Sequence, residues 1–244
     1  KTVSAQLTAA ANNPNVKAIV LNINSGGGSL TASDQIYHDL TLAKDKGKII
    51  VSYFGETAAS GAYYLATASD YIIANPTTTT GSFGVIMQSI NAKELLDKVG
   101  IKEITIKSGE HKDLLSPSKE ISEEEKNILQ KIINEEEEKF YNLIVKNRGV
   151  NYDKNDVIFD GRILSANDAL TYKLVDELGY FEDAINKAVK MAGIEQYSIY
   201  QYKMPTNIFN LLSIFGTSFK NDIIFENILY FLTNSDQPKK LLEL

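Results

Sequence analysis

Ser60 stands in the segment Gly55-Glu-Thr-Ala-Ala-Ser60-Gly61-Ala62-Tyr63-Tyr64, after an apolar run and before a stretch of small residues. Flanking Ala and Gly leave room for a carbonyl to approach the hydroxyl, and a helix opening there favours developing negative charge. The same position suits a helix N-cap, a purely structural job. Upstream, Asn24-Ser-Gly-Gly-Gly-Ser29 also follows an apolar run. Successive glycines permit positive φ and can turn backbone N–H groups into a cavity that cradles an oxyanion or a phosphate, or they form a flexible turn. Neither the dinucleotide spacing G-x-G-x-x-G nor the Gly-Lys-Ser/Thr of a nucleotide-binding loop is present. Downstream, Asn75-Pro-Thr-Thr-Thr-Thr-Gly81-Ser82-Phe-Gly84 makes a tight, hydroxyl-rich loop. Lys107-Ser-Gly-Glu-His111-Lys112-Asp113 closes a strand-like run. Taken singly, the first of these two reads as a turn and the second as a surface loop.

Composition narrows the chemistry. The chain has no Cys, which excludes disulfides, thiol catalysis and thiolate metal sites. Two histidines, His38 and His111, make an imidazole metal cage improbable, and no cofactor is implied. With 25 basic against 31 acidic residues, nucleic acid is a poor partner, because phosphate binding draws on concentrated positive charge. A nucleophile and its base must therefore come from Ser, Thr, Tyr, Lys, Asp or Glu. No apolar run reaches the roughly 18 to 20 residues that span a bilayer. The nearest, 208–232, is broken by Lys220, Asp222 and Glu226. The first residue is Lys1 rather than Met, so a targeting or membrane segment ahead of it would not be visible in this sequence.

The elements that must position these residues alternate. Apolar runs at 17–23, 48–54, 71–74 and 102–107 read as strands, and 31–46, 60–68 and 93–99 as helices. Such alternation predicts βαβ units and an α/β domain with a mainly parallel sheet. Helical spacing governs 122–146, opened by the capping box Ser122-Glu-Glu-Glu125 and stopped at Asn147-Arg-Gly149. The acidic run 135–138 reads as a solvated helix face. A turn, a short helix and a second turn fill 160–179, and 181–191 is helical. After Gly193 the composition shifts, giving a domain at 1–195 and a C-terminal extension at 196–244. In the extension 197–202 suits a strand and 207–232 one or two apolar helices, serving packing or an oligomer contact.

Taken together, the four segments resemble the signal peptide peptidase A family, Ser/Lys-dyad proteases on the fold shared by Clp protease subunits and crotonases. The resemblance runs from about Val16 to Ala192 and includes Leu115-Ser-Pro-Ser118, Asp160-Gly-Arg162 and Leu174-Val-Asp-Glu-Leu-Gly179. It implies Ser60 as nucleophile, Lys112 as general base, Ser82 as the hydroxyl that orients the lysine amine, and Gly27, Gly28 and Gly61 as the oxyanion hole. One position departs from the family pattern Asn-Ser-Pro-Gly-Gly: Gly26 replaces the proline and loosens the loop. The resemblance further implies repeated ββα units, remnant signal peptides and other short unfolded peptides as substrates, and attachment to a bacterial membrane with the catalytic domain on the extracytoplasmic side. A homo-oligomeric ring whose dyad can be shared between subunits is implied as well.

A serine becomes a nucleophile at neutral pH only beside a neutral base. An ordinary solvated lysine is almost wholly protonated there, so Lys112 is expected to be desolvated. Three alternatives remain. A crotonase-type acyl-CoA hydratase or isomerase would share the fold and the glycines but work through Glu. A Clp-like peptidase would pair Ser60 with His111, although no histidine stands where those relatives carry theirs, about two dozen residues after the serine. A non-catalytic scaffold would leave the Ser60, Ser82 and Lys112 set idle.

Overall fold

The structure is a computed structural model that describes residues 3–201, 229–234 and 241–243. The chain divides into two compact units, 1–83 with 143–244, and Gly84–Asn142.

The first unit opens with helix α1 (Val3–Asn12), strand β1 (Val16–Ser25), helix α2 (Leu30–Asp45), strand β2 (Ile49–Ala59) and the short helix α3 (Gly61–Ala66). Strands β3 (Tyr71–Ala74) and β4 (Thr79–Gly81) follow. Strand β1 pairs in parallel with β2, and β2 serves two further partners in turn: its first half pairs with β3 and its second with β4. The threonine run explains the second pairing, since Thr78 Oγ1 donates to the Phe54 and Gly55 carbonyls and Thr80 Oγ1 to that of Ala58. Five of the eight strand pairings among the described residues are parallel, as expected of a Clp protease/crotonase-like fold. The carboxyl ends of β1, β2 and β4 lie side by side, with Ser25 opposite Ala58 and Ala59 opposite Gly81. Ligands of open α/β sheets bind at such strand ends.

Strand β1 is buried on both faces, as a central parallel strand should be. Ala18 and Val20 join Val51, Tyr53 and Ile73 under Ala184 and Ala188 of a later helix, while Ile19, Leu21 and Ile23 are equally buried. Buried Lys48 donates to the carbonyls of Asn13 and Val16 and so ties the end of α1 to the sheet. Its pKa lies below the ordinary lysine value, first because of burial and then because of Lys17 and Lys46.

The Gly84–Asn142 unit contains helix α4 (Lys93–Lys98) and most of α5 (Glu123–Arg148). The strand expected at 102–107 does not form. That segment has no pairing partner among the described residues, and Ile104 and Ile106 are 87 % and 97 % exposed. Its β-branched residues favour a strand, but a strand exists only through a ladder.

The first unit resumes with the last residues of α5, which end at Gly149 in the left-handed region (φ +62°). A 3-10 turn (Val157–Phe159), β5 (Ile163–Ser165), α6 (Ala166–Thr171), β6 (Glu177–Leu178) and α7 (Phe181–Met191) follow. Strand β5 closes antiparallel on β4, and β6 pairs with β3. Beyond residue 195, β7 (Tyr197–Gln201) and β8 (Leu229–Asn234) extend the same sheet, β8 lying between β1 and β7, and β9 (Leu241–Glu243) pairs with β7. The expected boundary at 195 therefore coincides with neither unit. The expected helical stretch 207–232 ends as strand β8 at 229–232, and 207–228 lies outside the described residues. Among the described residues no helix is long and apolar enough to cross a membrane.

Candidate active site

Strand β2 delivers Ser60 at its carboxyl end, where the chain turns into α3. The turn is sharp: Ser60 adopts φ 51°, ψ −126°, a conformation that L-residues rarely take. Its N–H donates to the Gly81 carbonyl at 2.8 Å, which pins the corner to the end of β4. The N-cap alternative fails on geometry, because the Ser60 side chain makes no capping hydrogen bond to α3. The hydroxyl is left half-buried at the head of the helix and has no hydrogen-bond partner among the described residues.

The glycine loop lies directly over this corner. A Cβ on Gly27 (φ +103°) would fall 2.8 Å from the Ala59 carbonyl oxygen, the Gly61 nitrogen and the Ser60 Cβ. A Cβ on Gly61 would collide with the buried Ser33 hydroxyl of α2 and approach the Gly28 nitrogen to 3.4 Å. Glycine is required at both positions by close backbone approach. The Gly28 and Gly61 N–H groups meet no acceptor among the described residues, whereas the Gly27 N–H donates to Ser25 Oγ at 3.2 Å. Two neighbouring unengaged N–H groups beside a hydroxyl can bind a tetrahedral oxyanion.

Ser82 follows Gly81, the acceptor of the Ser60 amide, and is the second of three non-glycine residues with positive φ (54°) among the described residues. Its N–H donates to the Arg162 carbonyl at 2.7 Å, so β5 holds this corner as β4 holds the first. Strained non-glycine backbone persists only where its surroundings over-determine it, and here it marks both serines singled out from sequence. Behind Ser60, buried Tyr63 of α3 donates to the Leu174 carbonyl at 2.7 Å, and burial above all raises its phenol pKa well above the usual value.

Lys112 belongs to the Gly84–Asn142 unit, in a turn at 110–115. On that unit the Lys112 side chain is exposed. Ser60, Ser82, Gly27, Gly28 and Gly61 are thus brought together by the strand ends of one unit, while Lys112 and His111 sit on the other. Sequence reasoning missed Ser25, Ser33 and Arg162. Ser25 stands within the glycine segment and Ser33 within the helix that follows it, both small polar residues of no evident role, and Arg162 contributes only its carbonyl, which any residue supplies. Among the described residues no group of three or more His, Cys, Asp or Glu side chains could hold a metal ion.

Comparison with known proteins bears on this arrangement. The sequence family described as "Peptidase family S49" matches residues 42–195, and the family "Clp protease" matches residues 1–80. The chain is 37 % identical over 194 residues to "Putative signal peptide peptidase SppA" of Enterococcus faecium, covering 80 % of this chain and 56 % of that protein. It is 39 % identical over 178 residues to "Putative protease slr0021" of Synechocystis, covering 73 % of this chain and 64 % of the relative. It is 33 % identical over 211 residues to "Protease 4" of Salmonella typhi, covering 86 % of this chain and 34 % of the relative. The chain thus spans between about a third and two-thirds of these relatives' lengths.

Proposed function

The chain belongs to peptidase family S49, and from that premise we propose that it is a serine endopeptidase acting through a Ser60–Lys112 dyad. The observation that carries this reading is the Ser60 corner: a strained residue whose hydroxyl is uncommitted, placed beside two unengaged N–H groups. The protease names of the relatives point the same way.

In this reading Ser60 Oγ attacks the scissile carbonyl while its proton passes to the neutral amine of Lys112, whose direction Ser82 fixes. The carbonyl oxygen, now negative, rests against the Gly28 and Gly61 N–H groups, joined by Gly27 if its N–H leaves Ser25. Collapse of the tetrahedral species breaks the C–N bond, and the Lys112 ammonium returns the proton to the leaving amine. Water, deprotonated by the same amine, then hydrolyses the acyl-Ser60 ester.

The substrates are remnant signal peptides and other short unfolded chains, met on the extracytoplasmic side of a bacterial membrane to which a segment outside this chain attaches the protein. A homo-oligomeric ring completes the reading. Lys112 is exposed in the single chain, so a neighbouring protomer is what would supply its apolar surroundings if the dyad is shared.

The test is labelling by an active-site-directed acylating inhibitor such as a fluorophosphonate. One equivalent is expected on Ser60, and none on Ser60→Ala. Lys112→Ala should lose peptidase activity, and His111→Ala should keep it. Modification of another residue, or an active Lys112→Ala, overturns the dyad.

A further inference from the structure

The Lys112 side chain meets no hydrogen-bond or ion-pair partner among the described residues, and its backbone N–H donates to the Gly109 carbonyl at 3.2 Å. Its neighbour Asp113 is the opposite. Asp113 Oδ1 accepts from Lys107 Nζ and from Lys119 Nζ, each at 2.8 Å. Lys107 Nζ also donates to the Glu110 carbonyl, and Lys119 Nζ also donates to Glu125 Oε1. Glu125, only 5 % exposed, is the closing residue of the α5 capping box: Oε2 accepts the Ser122 N–H at 3.0 Å, and Ser122 Oγ accepts the Glu125 N–H at 3.2 Å. On the other side of Lys112, His111 Nε2 lies 3.7 Å from Glu124 Oε1 and Nδ1 lies 4.0 Å from Glu125 Oε1.

We propose that Asp113, Lys119 and Glu125 form a positioning relay for Lys112, a reading that rests on Lys112 being the base of the dyad. The relay does two things. It ties the Asp113 flank of the lysine to the first turn of α5, a helix of 26 residues, so the amine departs from a fixed piece of backbone rather than from a free loop. It also engages the Asp113 carboxylate with two ammonium groups. An unengaged carboxylate next to Lys112 would pair with it and hold it as ammonium, which cannot accept the Ser60 proton. The charged and titratable groups around this turn are Lys107, Glu110, His111, Lys119, Glu124 and Glu125, with Lys93, Asp97, Lys102 and Glu103 in the same cleft as Asp113 and Lys119. Of these, Lys119 alone joins Asp113 to the helix cap.

The experiment uses the full chain and compares Lys119→Met, Lys119→Arg, Asp113→Asn and Lys112→Ala on a fluorogenic peptide from about pH 6 to 10, with thermal unfolding of each. Lys119→Met is expected to lower kcat about tenfold, with KM within about twofold, and to displace the acidic limb of the rate profile to higher pH by about one unit. Lys119→Arg should restore both. Asp113→Asn, which removes the tether and the competing carboxylate together, should lower kcat without moving the limb. A Lys119→Met profile identical to the wild type, or a loss that arginine does not rescue, overturns the relay. If Lys119→Met fails to fold, an unchanged kcat in Asp113→Asn overturns it. An active Lys112→Ala instead overturns the dyad beneath it, so the two failures are distinguishable.

Discussion

A methyl group on Gly27 would come to rest 2.8 Å from the Cβ of Ser60, although the two residues belong to different strand-to-helix turns. Gly27→Ala must therefore lift the glycine loop from the Ser60 corner, and at φ +103° alanine is strained as well. Its kcat/KM on a peptide substrate is expected to fall by about 10²- to 10³-fold, the usual worth of one oxyanion donor. Circular dichroism should show the secondary structure retained.

Ser60 itself opposes stability. At φ 51°, ψ −126° a side chain costs of order 1 to 3 kcal/mol that glycine largely avoids. Ser60→Gly is expected to unfold at higher denaturant concentration than Ser60→Ala, by about 1 kcal/mol, with both variants inactive. Urea titration of the pair checks this.

The phenol of Tyr63 is the tie between α3 and the Leu174 carbonyl. Tyr63→Phe keeps the ring contacts with Phe54 and Phe83 but leaves that carbonyl unpaired. A loss of about 1 to 3 kcal/mol in chemical denaturation is expected. Because α3 carries the Ser60 corner, the rate of Ser60 acylation should fall along with it.

Acid should loosen the Lys112 turn. Hydrogen bonds from Lys107 and then Lys119 hold the Asp113 carboxyl at about 2, against an ordinary 3.8. A depressed carboxylate pKa contributes stability above the ordinary value, and that contribution is lost as pH falls through the folded value. Amide hydrogen exchange across 107–125 should rise between about pH 4 and 2, and Asp113→Asn should flatten the rise.

Local pattern predicts strongly where local pattern also decides. Strand β3 and helix α7 have the limits expected of them, 71–74 and 181–191, because an apolar run and an amphipathic period each need only one burying surface. The capping box at Ser122 forms as read, with Lys119 as an unforeseen third member. Long-range pairing is another matter. The Thr run hides strand β4, whose existence depends on the second half of β2, and 102–107 has the residues of a strand but no ladder. The apolar stretch ending at 232 reads as helix by composition and closes as β8, because β1 has an open edge to fill. At the candidate site, the residue types and order are legible but the reason Ser60 stands out is not. Ala-Ala-Ser-Gly says nothing of a positive φ, which comes from the Gly81 carbonyl twenty-odd residues on.

Strand β8 sets a schedule for the ribosome. Its register on β1 places Leu232 opposite Ala18, two residues separated by nearly the whole chain. Until β8 has left the exit tunnel, one edge of β1 stays open, while β2, made earlier, already covers the other. Contacts this distant in sequence form late and slowly, so the nascent chain carries an unpaired apolar strand until β8 is made. Removing residues 196–244 would make that waiting state permanent.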